Sequence, residues 1–207
     1  MKAAGLILAS RSPRRLQLLR EAGYMFRVCE ADVREDLISH FTPGELTLYH
    51  AASKARAVAR KHPDDVVLGA DTLVALDGKP LGKPASMEEA FRMVSSLSGR
   101  VHEVYTGVWI EYLEEARSTG FVECSRVHFH KLNPDQIRDY LSRINPMDKA
   151  GAYAAQEEGK RIIARVEGLF SNVVGLPVER LAPVLGIYGI QPEPSSPPHR
   201  TSRRIRR

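Results

Sequence analysis

Residues 6–19 read Leu6-Ile7-Leu8-Ala9-Ser10-Arg11-Ser12-Pro13-Arg14-Arg15-Leu16-Gln17-Leu18-Leu19. An apolar run of strand length stops at Ser10, and a helical pattern starts at Pro13. Ser12 suits an N-cap, and proline at the first helical position loses no hydrogen bond. Leu16, Leu19 and Ala22 recur at helical spacing, and Gly23 stands where a C-terminal cap belongs. The unit is therefore strand, loop, helix, with Arg14 and Arg15 opening the helix. Free N–H groups and the positive end of the dipole already favour an anion there, and the two guanidinium forks add donors. Phosphate is the natural guest, although two solvated arginines on a surface helix would give the same pattern. No Gly-x-x-x-x-Gly-Lys-Ser/Thr and no Gly-x-Gly-x-x-Gly occurs, which excludes the familiar phosphate loops.

The next decisive stretch is 66–76, Val-Val-Leu-Gly-Ala-Asp-Thr-Leu-Val-Ala-Leu, the most apolar part of the chain. It predicts a buried central strand that runs into a hairpin at Asp77-Gly78. Asp71 interrupts it. An unpaired buried carboxylate is costly, so Asp71 should meet a cation, a proton or a metal, or else cap a turn with Thr72. Gly69 and Ala70 beside it would let a ligand approach the backbone. Lys83, in Gly82-Lys83-Pro84, returns within one hairpin of Asp71.

Other segments fill in an alternation of strands and helices. Phe26 to Glu30 alternates as a short strand, followed by an acidic loop in which Glu35 could offer an oxygen to a metal, though such loops are commonly just solvated. Thr42-Pro43-Gly44-Glu45 has capping-box spacing and opens a helix to about Arg60 that carries Lys54 and Arg56. A basic helix face is ordinarily solvated, so Lys54 matters only if phosphate lies beside it. Ser86 to Glu89 is a second capping box, for a helix ending at Gly99. Residues 102–112 and 121–130 predict an antiparallel pair joined through Glu-Ala-Arg-Ser-Thr-Gly. His128 and His130 share a face of the second strand, compatible with a metal but equally with an exposed strand face. Asn133-Pro134 starts a short helix, residues 161–167 alternate as a strand, and Ser171 to Pro177 turns into a last helix over 178–185.

Composition suits one soluble domain or one with two lobes: 207 residues, 43% hydrophobic and 27% charged. No apolar run approaches the roughly 18 residues of a membrane span, and the start passes directly into a strand, leaving no room for a signal peptide. Cys29 and Cys124, far apart and without zinc spacing, read as reduced thiols in a cytoplasmic protein. The formal net charge of +5 equals the contribution of Arg200, Arg203, Arg204, Arg206 and Arg207. The body is balanced, so a nucleic-acid-binding face is not indicated. Residues 1–190 form the expected domain. From 191 to 207 the Pro-, Ser- and Arg-rich chain is expected to be a disordered tail.

Several motifs occur together in order: Leu-Ala-Ser-x-Ser-Pro-Arg-Arg at 8–15, Lys54-Ala55, Gly69-Ala70-Asp71-Thr72 and Gly82-Lys83-Pro84. Asp148-Lys149-Ala150-Gly151-Ala152-Tyr153-x-x-Gln156 and Ser171-Asn172-Val173-Val174-Gly175-Leu176-Pro177 complete the series. Over about Leu6 to Leu185 the chain closely resembles the Maf family of nucleoside triphosphate pyrophosphatases. The resemblance implies an α/β, two-lobed Maf/ITPase-like fold with a central mixed β-sheet, a cleft between lobes, and a homodimer. It implies a divalent cation, Mg or Mn, and hydrolysis of a nucleoside triphosphate to monophosphate and pyrophosphate. Asp71 matches the catalytic base and a metal-holding position, and Glu35 an acidic position near metal and substrate. Arg14, Arg15, Lys54 and Lys83 match phosphate-contacting positions. Arg14, Thr72 and Gln156 match specificity positions of the branch acting on dTTP and UTP; a branch acting on 7-methyl-GTP tends to carry tryptophan after Ser-Pro. Arg11 replaces a small residue common between the two serines. Two rivals remain at this level: a non-catalytic nucleotide-binding regulator of cell division, and a nucleic-acid module relying on the basic tail.

Overall fold

The computed structural model describes residues 4–34, 38 and 40–193. Glu35, the expected acidic metal position, and most of the expected tail lie outside the described residues. Among the described residues, seven strands form one mixed sheet: β1 (Leu6–Leu8), β2 (Arg27–Val28), β3 (Val66–Leu76), β4 (Lys79–Leu81), β5 (Val101–Tyr112), β6 (Arg117–Phe129) and β7 (Ile163–Glu167). Their order is β2-β1-β3-β5-β6-β7, with β4 pairing β3. β1 runs parallel to β2 and β3, and every other pair is antiparallel. The helices among the described residues are α1 (Pro13–Glu21), α2 (Pro43–Ala59), α3 (Met87–Leu97), α4 (Pro134–Leu141), α5 (Phe170–Val174) and α6 (Val178–Ile187). None is long and apolar enough to cross a membrane.

Alternation along β3 separates the sheet's faces. Val67, Gly69, Asp71, Leu73 and Ala75 lie under α2. On the other face, Leu68 and Ala70 join Val108, Ile110, α1 and α6 in one core, while Val74 and Leu76 join Val104, α3, α4 and Tyr153 in another. The same three strands, β3, β5 and β6, thus serve two lobes. Between the lobes, polar Thr72 and Thr106 stand directly opposite each other in the register.

Helix α2 sits on bare backbone. A Cβ built on Gly69 would lie 2.2 Å from the Ala51 carbonyl oxygen, and one on Gly107 would lie 2.3 Å from the Thr47 carbonyl carbon. The small residue at Gly69 therefore admits a helix, not the ligand expected from the sequence. That approach also corrects the view of Lys54 as part of a solvated face: Lys54 is buried against the sheet. Arg56 keeps to the surface, over Trp109 and beside Glu111.

Other boundaries differ for local reasons. β6 begins at Arg117, not 121, because Gly120 pairs with Trp109 and leaves room for its indole. The real connection is Leu113 to Ala116. The strand expected over 26–30 is reduced to Arg27–Val28. Residues 171–174, expected as a turn, belong to α5. The Thr42–Glu45 capping box forms, whereas Glu89 closes only half of the second box, its carboxylate accepting from Ala85 N–H instead of Ser86 N–H. Ser12 occupies the N-cap position of α1 without a side-chain cap bond. Asp77 and Gly78, both at positive φ, make the expected hairpin turn. Past Ile190, the Glu193 N–H donates to Gly23 O at 2.8 Å.

His102 is buried in the second core, its Nε2 2.8 Å from the Tyr153 hydroxyl and its Nδ1 without a partner. Burial, then the charge of His128, lowers its pKa from 6.5 to about 4. The unfolded chain therefore binds the extra proton first on acidification. Stability is fully present above pH 6.5 and is lost as pH falls toward 4, by up to about 3 kcal/mol from this group. Urea unfolding at pH 7 and pH 4.5 should show a smaller acid loss for His102→Gln than for the wild type. Equal losses would mean another group governs the slope.

Candidate functional site

The site begins where the sheet edge is incomplete. β1 accompanies β3 only to Leu68, whose carbonyl accepts from Ala9 N–H, and β4 takes over at Val74. Into the interval come the loop 9–12 and the start of α1. A cleft of about 390 Å³ opens there, lined from both lobes by residues of the 9–15 loop and α1, β3, the 148–156 turns and the end of α5. Arg14, Arg15, Lys54, Asp71, Thr72, Lys83 and Gln156 all contribute. The sequence-derived site is thus assembled, apart from Glu35. The segment leading to Glu35 reaches the cleft through Ala31 and Val33.

Two sets of side chains occupy opposite faces of β3. Under α2, Lys54 Nζ donates to Asp71 Oδ1 at 2.7 Å, and His50 Nδ1 lies 3.4 Å from Oδ2. Burial pushes the Asp71 pKa up, but the His50 hydrogen bond and the Lys54 and Arg15 charges outweigh it and hold the group below its ordinary value. Asp71 is an anion at neutral pH. Sequence reading missed His50. The signal was available, since His50 and Lys54 are four apart and share a helix face.

On the other face, Arg15 is a strut between segments. Its Nη1 donates to Ala70 O at 2.9 Å and Ser10 Oγ at 3.3 Å, its Nε to Gly175 O at 2.9 Å, and its Nη2 to Thr72 Oγ1 at 2.9 Å. Thr72 Oγ1 continues to Thr106 Oγ1 at 3.0 Å, and Thr106 donates to Asn172 O. This polar seam closes the gap between the two apolar cores. Arg15 and Thr72 thus line the cleft while tying its floor to α1 and α5.

At the mouth, Arg14 Nη1 lies 3.3 Å from Asp148 Oδ2, and Lys149 Nζ donates to Asp148 Oδ1 at 2.9 Å. Lys83 and Gln156 are exposed. Among the described residues, no three His, Cys, Asp or Glu side chains gather to hold a metal. His128 instead lies 3.1 Å from Glu167, and His130 falls beyond the end of β6. Mg²⁺ needs little from the protein, since it commonly takes one or two carboxylates with water and substrate phosphate oxygens. Asp71, an anionic oxygen donor on the wall of a cleft whose charged lining is largely basic, has the donor chemistry for that mode, with Lys54 already on its Oδ1.

The family model described as Maf-like protein matches residues 5–187. A dTTP/UTP pyrophosphatase of Carboxydothermus hydrogenoformans is 45% identical over 184 residues, covering 89% of this chain and 98% of that one. One from Akkermansia muciniphila is also 45% identical, covering 89% and 96% respectively. Among solved structures, the Staphylococcus aureus Ham1 protein aligns with a TM-score of 0.51 at 15% identity, over 88% of this chain and 98% of that chain. That likeness concerns the fold alone.

Proposed function

Because the chain belongs to the Maf-like protein family, we infer that it is a nucleoside triphosphate pyrophosphatase acting on dTTP and UTP. The products are the nucleoside monophosphate and pyrophosphate. The observation that carries this reading is the buried Asp71 carboxylate, paired with Lys54, on the wall of a cleft also lined by Arg14, Lys83 and Lys149. Cations receive the polyphosphate, and one ionised carboxylate stands at its inner end.

Water attacks the α-phosphorus, the bond to the bridging α–β oxygen breaks, and pyrophosphate leaves with that oxygen. Asp71 accepts a hydrogen bond from the water, orients it and takes its proton. A low pKa makes Asp71 a weak base, so orientation carries much of its effect. Arg14 and Lys83 hold the leaving pyrophosphate. A divalent cation, Mg²⁺ or Mn²⁺, would be held by Asp71 together with substrate oxygens and would supply charge neutralisation on the phosphates. Gln156 reads the base, since its amide offers a donor and an acceptor to the N3–H and a carbonyl of uracil or thymine. A homodimer in the cytoplasm is the assembly and location we propose from the family resemblance.

The test is a nucleotide panel with Mg²⁺ and pyrophosphate detection. The expected result is one pyrophosphate per dTTP or UTP, with dATP and dGTP turned over far more slowly. Intact nucleotides throughout would instead favour a non-catalytic nucleotide-binding regulator. Gln156→Ala should reduce the pyrimidine preference more than it lowers the rate on dTTP, because unpaired polar groups drive such discrimination. A variant with unchanged preference would remove Gln156 from base reading.

A further inference from the structure

Among the described residues, two carboxylates line the cleft, Asp71 and Asp148. Asp71 is buried beneath α2. Asp148 stands at the mouth, its side chain 49% exposed, at the end of a short 3-10 turn over Pro146–Asp148. It contacts both neighbouring cations of the lining. Its Oδ2 lies 3.3 Å from Arg14 Nη1, across the cleft on α1, and its Oδ1 accepts from Lys149 Nζ at 2.9 Å. Lys149 is itself buried, its ammonium aimed by a further bond to Asn145 O at 2.8 Å. The other carboxylate near it, Glu157, stands farther off at 3.7 Å and does not reach Arg14. The arrangement spans lobes, since α1 packs in the core with Leu68 and α6, and the 146–152 turns pack against α3 and the other core.

A carboxylate placed between two phosphate-seeking cations competes with any phosphate chain that enters. We propose that Asp148 is the release residue of the cleft: it competes with the polyphosphate for Arg14 and Lys149, and by recapturing both cations it speeds the departure of pyrophosphate. This rests on the pyrophosphatase reading above. Pyrophosphate is small and densely charged, and a cluster of arginine and lysine with no competing anion would hold it tightly. Where product release limits turnover, such tightness slows the enzyme. Asp148 weakens substrate capture as well, so its effect divides between KM and kcat rather than falling on the chemical step.

Asp148→Asn keeps the shape and an acceptor oxygen while removing the charge; Asp148→Glu keeps the charge. Calorimetric titration with inorganic pyrophosphate in Mg²⁺ buffer requires no turnover. The Asn variant should bind pyrophosphate about fivefold more tightly, the scale of a partly exposed ion pair, while the Glu variant stays near wild type. In steady state, KM for dTTP and the inhibition constant for pyrophosphate should fall together in the Asn variant, with kcat unchanged or lower. Unchanged or weaker pyrophosphate binding in the Asn variant would overturn the proposal, as would equal tightening in both variants. A wild type that binds no pyrophosphate overturns it too. A wild type that binds pyrophosphate yet leaves dTTP intact defeats the pyrophosphatase reading, while the comparison of variants still decides the competition for Arg14 and Lys149.

Discussion

Asp71→Asn should lower kcat for dTTP by about 10²–10⁴-fold, the usual contribution of a positioned acid–base group. The loss has two sources. The amide has no negative charge with which to hold a cation or attract a proton from water. It also presents an N–H₂ where Oδ1 or Oδ2 now accepts from Lys54 or His50. Global structure should persist, because the remaining amide oxygen can still accept from Lys54 and the volume of the side chain is unchanged. Circular dichroism and thermal melting establish that the variant is folded, and pyrophosphate release measures the rate. A folded Asn variant within tenfold of wild type would move the chemistry elsewhere in the cleft.

Gly69→Ala should destabilise the protein by about 3 kcal/mol or more, at the upper end of what overpacking costs. The new methyl would meet the Ala51 carbonyl oxygen at 2.2 Å and the Ala55 nitrogen at 2.9 Å. Both are backbone atoms of α2, so no rotamer change can relieve the contact; the helix must lift. Because α2 also carries His50 and Lys54, the same displacement draws both away from Asp71. Urea unfolding should show the lost stability, and the residual folded protein should turn over dTTP more slowly. Gly107→Ala, aimed at the Thr47 carbonyl carbon at 2.3 Å, should behave alike. A loss under about 1 kcal/mol at Gly69 would show that α2 can shift on the sheet without strain.

Much of this was legible in the chain. The apolar run 66–76, the Pro-led starts of α1, α2 and α4 and the hairpin at Asp77-Gly78 rest on short-range chemistry, and they form where expected. Elements decided by distant partners were less legible. Gly120 reads as a turn residue until Trp109 is known to lie opposite it, and Gly69 reads as ligand space until α2 is known to cover it. The site shows the same division. Asp71 was conspicuous as a charge in an apolar strand, whereas His50 lay unremarked in a helix, and Arg15 looked like a twin of Arg14. Only the tertiary path of β3 separates the two arginines. One guanidinium bonds to Ala70 O, Gly175 O and Thr72, and the other reaches Asp148.

The sharing of β3, β5 and β6 by both lobes has a mechanical consequence. Enzymes whose domains are joined by a few loop residues can close like jaws on a hinge. Here the jaws are cut from one plate: Leu68 and Val74, in different cores, are six residues apart on a single unbroken strand. Swinging one lobe against the other would mean bending three hydrogen-bonded strands at once. Any change in the gape of the cleft must therefore be taken up by the twist of the shared sheet and not by a hinge loop, because no loop alone joins the two lobes across β3.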